Sequence, residues 1–233
     1  MFKELHKSSE RGTSKLDWLD SHFSFSFARY YNPKRMGFGK LLVLNDDIIA
    51  PGKGFGVHPH QNMEIITIPI KGTLAHKDST GVEEIVLPGE IQVMSAGTGI
   101  FHSEYNHSKT ESLELFQIWI EPSVNHITPR HDKKSFDMKE NNLSLFVSGK
   151  KNPNYLFINQ KANILIGKFD KDKKTNYKIS KGNGVFIFVI EGRIEVKGDR
   201  LDKRDAIAIS DTTTININIL EDSYFIIIEV PMK

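Results

Sequence analysis

The chain is written in apolar stretches of four to eight residues: 40–44, 64–70, 84–87, 90–94, 113–120, 163–169, 185–190, 206–209 and 224–230. Each is followed within three residues by glycine, proline, asparagine or aspartate. Runs this short are too brief for helices that bury a continuous face, but they match the usual length of strands. Isoleucine (27) outnumbers alanine (7), and 11 valines and 11 threonines add to the β-branched excess. That composition suits a pleated, half-buried surface better than a helix. Only residues 14–21 and 133–141 look faintly helical, and neither is long enough to organise a domain. An all-β chain is therefore expected, with strands at the spacing of a sandwich or barrel.

The two halves of the chain echo each other. Gly72-Thr-Leu-Ala-His is matched by Gly192-Arg-Ile-Glu-Val, an offset of 192 − 72 = 120. Gly89-Glu-Ile-Gln-Val-Met-Ser is matched by Arg204-Asp-Ala-Ile-Ala-Ile-Ser, at 204 − 89 = 115, as a hairpin shorter by five residues would give. Each half then closes on an apolar strand stopped by proline, at Pro122 and Pro231. Two tandem barrels explain this pattern better than one continuous sheet. The polar stretch 123–139, which follows Pro122 and holds Pro129, reads as the linker, so the expected division is 1–130 and 131–233.

Several classes of function are disfavoured by charge and composition. With 31 basic and 29 acidic residues the formal charge is +2, too weak a field for a polyanion. The basic clumps at 130–134 and 168–174 are broken by acids and hold a single aromatic, Phe169, as solvated surface can, so no nucleic-acid partner is expected. The absence of cysteine removes disulfides, thiolate metal sites and cysteine nucleophiles together. No apolar run approaches the roughly 18 residues of a membrane span, and residues 1–19 hold no signal-like apolar core. A cytoplasmic protein without a membrane partner is expected.

The chemistry is concentrated in two tight groups of histidine and carboxylate: His58-Pro-His60 with Glu64 after it, and His102-Ser-Glu104. On a strand, residues two apart share a face, so His58 pairs with His60 and His102 with Glu104. If both faces look into one barrel, three neutral imidazoles and a carboxylate converge. That set suits one divalent first-row metal with open positions, Fe(II) above all, with Mn, Ni, Cu or Zn also compatible. The spacing Gly52-x5-His-x-His-x3-Glu64-x7-Gly72, followed by Gly89-x5-Ser95-x-Gly97-x4-His102-x3-Asn106, resembles the two motifs of the cupin superfamily. It departs from them by one extra residue before Gly72, by Ser95 where proline is usual, and by two extra residues before His102.

The fuller wording resembles one branch of that superfamily. Tyr30-Tyr-Asn-Pro-Lys-Arg-Met-Gly-Phe-Gly39, Asn45-Asp-Asp, Pro51-Gly-Lys-Gly-Phe-Gly-Val-His-Pro-His60, Asn62-Met-Glu-Ile-Ile-Thr67, Met94-Ser-Ala-Gly-Thr-Gly99 and His102-Ser-Glu104 are similar to the pirin family. The resemblance implies a bicupin, two tandem double-stranded β-helix (jelly-roll-like) barrels. It implies metal ligands at His58, His60, His102 and Glu104, which leaves Glu64 beside them or as an interior hydrogen-bond acceptor. Phe55 and Phe101, within three residues of a ligand, are candidates for lining a substrate pocket, and His107 is near enough to support the site. His76 belongs to the family wording without being a ligand.

Two functions follow from the resemblance. One is a quercetin (flavonol) 2,3-dioxygenase, which opens the central ring of its aromatic substrate with dioxygen and releases carbon monoxide, with Glu104 taking the substrate proton. The other is a non-enzymatic metal or redox sensor that binds a regulatory protein partner. The 120 and 115 offsets place Lys178, Ser180, Ile217 and Ile219 at the ligand positions of the second half, and no histidine follows His131. That half is expected to be a degenerate barrel without metal.

Overall fold

The computed structural model describes residues 1–233. Apart from a three-residue 3-10 turn at Ser8–Glu10, every regular element is a strand. The strands form two seven-stranded and two four-stranded sheets. One sheet of each size makes a barrel of the double-stranded β-helix type, and two such barrels stand in tandem.

Strand order is the same in both barrels. In the first four-stranded sheet it is Gly54–His60, Ile100–Asn106, Leu74–Asp78, Glu83–Val86; in the second it is Lys174–Lys178, Thr214–Ile219, Ile194–Val196, Asp199–Leu201. The centres of the large sheets correspond too, with Glu64–Lys71 matched by Asn183–Glu191 and Leu113–Ile120 by Ser223–Pro231. The matched hairpins turn on Gly72 (φ +83°) and Gly192 (φ +82°). A Cβ at either would also lie 2.6 and 2.0 Å from the carbonyls of Ser112 and Asp222, so only glycine fits both the turn and the close approach.

The faintly helical segments are not helices. Residues 14–21 contribute to the strands Gly12–Lys15 and Leu19–Phe23, which pair with each other, because Leu19, Ser21 and Phe23 alternate inward in the rhythm of a strand. The expected division at 130/131 cuts into another strand. Arg130–Ser135 pairs along the whole of Glu90–Ser95 and completes the first barrel's large sheet. Conversely, Phe2–His6 pairs with Ala206–Ser210 in the second barrel. Each barrel thus takes an edge strand from beyond the expected boundary.

The outward faces of the two large sheets share one core of 26 buried residues, including Ile66, Phe116 and Ile118 from the first barrel and Phe186, Ile226 and Ile228 from the second. An ion-pair bolt crosses at its edge. Asp46 accepts from Arg11 at 3.1 Å and faces Arg204 at 3.3 Å, while those guanidiniums lie over Phe188 and Phe116 of opposite barrels.

Register corrects the matching of ligand positions between halves. Glu104 lies opposite His76, and Ile217 lies opposite Val196, the residue four beyond Gly192 as His76 is four beyond Gly72. Glu104 therefore corresponds to Ile217 and His102 to Ile215; the two residues by which this offset falls short of 115 are the two extra ones before His102. His58 faces His102 as Tyr177 faces Ile215, so His58 corresponds to Tyr177 and His60 to Ile179. The shift of one comes from a bulge between Phe55 and His58 that the second barrel lacks.

Candidate metal centre

Two antiparallel strands of the first barrel build the centre. His102 lies directly opposite His58, and the bulge falls in the His58 strand, so Ile100–Asn106 stays regular and sends both His102 and Glu104 inward. The rings of His58, His60 and His102 are 4.4 to 4.9 Å apart. One nitrogen of each lies within 4.8 Å of the others. His58 Nδ1 is 2.8 Å from the carbonyl of Gly56. A carbonyl only accepts, so Nδ1 carries the proton and Nε2 is left with the lone pair.

Two of the three imidazoles, those of His60 and His102, are held neutral. Burial, reinforced by the neighbouring histidines, pulls His102 down to about 2, and burial with His58 pulls His60 down to about 4. His102 is 2% exposed, yet neither of its nitrogens has a hydrogen-bond partner. Buried polar nitrogens are rarely left so, and a cation shared with His58 and His60 would satisfy one of them. The donor set fits a divalent transition metal.

Glu104 stands just beside this triad. Its carboxylate comes within 4.8 Å of His102 and His76 but not of the full set of three histidines. It accepts from Thr67 Oγ1 at 3.1 Å and from Gln117 Nε2 at 2.6 Å. Burial pushes its pKa up to about 7, with the Asp47 carboxyl adding to the rise and the two hydrogen bonds opposing it. His76, the other histidine within reach, has both nitrogens engaged. Gln92 donates to Nδ1 at 3.2 Å, Nε2 donates to Asp78 at 3.0 Å, and the ring stacks on His131. It has no free lone pair to offer an ion.

A cavity of about 500 Å³ opens from the histidines. Trp18, Phe23, Phe27, Phe55 and Trp119 form its apolar wall, and Asn45, Asp47, Glu104 and Gln117 its polar one. Among the residues singled out from sequence, the structure brings together His58, His60, His102, Glu104 and Phe55. Strand alternation carries the others away. Phe101 is 55% exposed on the outer face, opposite Pro59, and His107 is exposed on that same outer side with Tyr105. Glu64 is buried but turned toward the second barrel, accepting from Ser95 at 2.7 Å and Asn159 at 2.9 Å. The turn at Asn62 (φ +49°) breaks the parity that linked Glu64 to His60. His6 is buried and His131 half-buried, with pKa values lowered to about 3 and about 4, chiefly by desolvation.

The residues that sequence reasoning missed lie mostly in one row across the large sheet: Phe23, Asn45, Gln117, Thr67 and Gln92 are successive cross-strand neighbours. The repeat carried a signal for them. By register the counterparts of Asn45, Gln117, Thr67 and Gln92 in the second half are Leu165, Ile227, Ile187 and Ile207, so each of these four is a polar residue where the other barrel packs an apolar one.

Comparison with known proteins decides the family. The pirin family model matches residues 4–120, and a quercetinase C-terminal cupin domain matches residues 145–230. The chain belongs to the pirin family. It is 43% identical over 227 residues to quercetin 2,3-dioxygenase of Escherichia coli (strain K12), covering 97% of this chain and 98% of that one. It is 38% identical over 215 residues to a pirin-like protein of Caulobacter vibrioides, covering 91% and 92%. Among solved structures, the bacterial pirin YhhW of Escherichia coli in complex with nickel(II) aligns at TM-score 0.94 and 41% identity, over 99% of each chain. Family, fold and donor set make this pirin a metal-dependent cupin.

Proposed function

We propose that this pirin is a metal-dependent dioxygenase acting on a flavonol-like aromatic, with quercetin as its assay substrate. The observation that carries the reading is a cluster of three imidazoles, one with both nitrogens unpartnered, opening onto an aromatic-walled cavity. His58, His60 and His102 would hold one divalent ion, and Glu104 would complete its ligand set. Fe(II) is the ion we assign in the cell; the relative's nickel(II) suits the same donors. Bound there, the ion supplies Lewis acidity that lowers the pKa of a substrate hydroxyl and the redox reach to engage dioxygen.

The protein's own groups do the rest. Glu104 would take the hydroxyl proton, and Thr67 and Gln117 hold its carboxylate in place. The ring walls, with Trp119 edge-on to His60 and Phe55 edge-on to Trp18, present flat apolar surface and exclude water. Oxygen consumption by Fe(II)-loaded protein across a flavonol panel tests the reading. Turnover above that of free Fe(II) is expected; silence across the panel overturns it in favour of a sensing role.

A further inference from the structure

The inward row of the large sheet has a regular job until its last polar member. Gln92 donates to His76, Thr67 donates to Glu104, and Gln117 donates to Glu104. Asn45, the next residue in the row, lies opposite Gln117 and has no such group to hold. It is 3% exposed, it lines the cavity, and its Oδ1 makes no hydrogen bond. Asp47, two residues on, lines the same cavity, and its one side-chain hydrogen bond comes from Ser21 to Oδ1. No cation hydrogen-bonds to it: Arg11 and Arg204 both engage Asp46 on the other face, and Arg11 acts on Asp47 only through space.

A buried amide oxygen without a donor, beside a buried carboxyl with a single hydrogen bond, is costly unless something else supplies a partner. What the pair lacks is donors, and what surrounds it is aromatic: Phe23 is the cross-strand neighbour of Asn45, and Phe27 packs on Phe23 with ring centroids 5.4 Å apart. Asn45 stands two strands from Thr67, about 10 Å at roughly 5 Å per strand, the length of a two- to three-ring aromatic.

We propose that Asn45 and Asp47 form a hydroxyl-accepting subsite that binds phenolic hydroxyls at the end of the substrate remote from the metal and selects for polyhydroxylated aromatics. This rests on the dioxygenase reading for the pose of the substrate, but it is a statement about binding.

The test is calorimetric binding to metal-loaded protein, using quercetin and 3-hydroxyflavone. The two share the hydroxyl-ketone that would meet the metal, and 3-hydroxyflavone lacks the ring hydroxyls. Wild type is expected to prefer quercetin by about 10- to 100-fold, the worth of one or two hydrogen bonds to a buried acceptor. Asn45→Leu and Asp47→Leu should each weaken quercetin by about tenfold or more, leave 3-hydroxyflavone within about twofold, and leave metal content at wild-type level. Equal loss for both ligands, no loss for either, a wild type that does not discriminate, or failure of both ligands to bind overturns the subsite. Should a variant lose metal or fold, Asn45→Asp, which keeps an acceptor, must retain the preference for quercetin. Discrimination in binding without oxygen uptake would defeat the dioxygenase reading and leave the subsite standing. Oxygen uptake without discrimination would do the reverse.

Discussion

The two barrels have the same strand order and the same glycine hairpin, and they differ on one face of their strands. Where the first presents Asn45, Thr67, His102, Glu104 and Gln117 to its interior, the second presents Leu165, Ile187, Ile215, Ile217 and Ile227. All five of the latter belong to a core of 16 buried residues. Even the mouth is rebuilt. Glu229 stands where the first barrel has Trp119, and it accepts from Tyr177, Asn163, Asn183 and the amide of Ser180. Burial alone would raise its pKa, but those bonds hold it below the ordinary value. The lesson is a division of labour within each strand: outward residues and backbone bonds specify the barrel, and the inward face is free to be a site or a core.

The largest effect that should follow is on the metal. His58→Ala/His60→Ala is expected to take metal content from about one ion per chain to none, by elemental analysis, with the circular dichroism of the fold retained. Two ions per chain in the wild type would break the asymmetry between the barrels.

Next come matched changes at corresponding positions. Glu104→Gln should lower turnover by about 10²- to 10⁴-fold at saturating metal, because it removes the base and keeps the shape. Ile217→Gln should leave turnover alone and destabilise the protein by about 1–3 kcal/mol in denaturant titration, the cost of an unsatisfied buried amide. If Ile217→Gln impaired turnover as strongly, the second barrel would not be inert.

Acid should separate the barrels less sharply. In the first, His60, His102 and His131 stay neutral down to about 4 or lower, whereas in an unfolded chain they take protons near 6.5. The unfolded state binds more protons across that window, so stability falls as pH drops below about 6.5. Asp47 and Glu104, both raised to about 7 mainly by burial, act oppositely, and their contribution is lost as pH rises through about 7. The histidine shifts outweigh the carboxyl shifts below pH 6. Hydrogen exchange on metal-free protein should therefore show protection falling in the first barrel between about pH 6 and 4, and falling as well on the strand Phe2–His6 of the second, where burial lowers His6 to about 3. Protection that stayed flat over that range would remove the effect.

The smallest effect is expected at Glu64. Since it faces Ser95 and Asn159 rather than the histidines, Glu64→Gln should change metal affinity by less than the roughly tenfold that marks a direct support of a ligand. Loss of metal there would move the carboxylate ligand to the first motif.

Much of this was legible in the sequence, for reasons that also explain what was not. Glycines that only a left-handed turn tolerates, as at Gly72 and Gly192, keep their spacing through divergence of everything between, so the repeat could be read. Alternation placed His58 with His60 and His102 with Glu104. It failed wherever a strand broke rhythm: the bulge before His58 and the turn at Asn62 each shift parity by a residue that no local pattern announces. Asn45-Asp-Asp stood in the family wording without a role, because three polar residues in a row show no alternation, and only burial on both faces of that strand reveals it as the middle of a sheet. The edge strands were illegible for another reason. Arg130–Ser135 is polar and interrupted by charge, as a strand with one covered face can be.

The exchange of edge strands also orders the events of synthesis. Leu5 finds its partner in Ile207, 207 − 5 = 202 residues later, so the first strand made is among the last to be paired. The first barrel can close once residue 135 has emerged, whereas the second must wait for a segment already out in solvent and carried on a folded neighbour. Pairings of such sequence separation fold slowly, and until this one forms the Ala206–Ser210 edge is open to strands of other chains. A protein cut at 130/131 would keep that edge open permanently and strip Glu90–Ser95 of its partner as well, so its halves should aggregate where the intact chain does not.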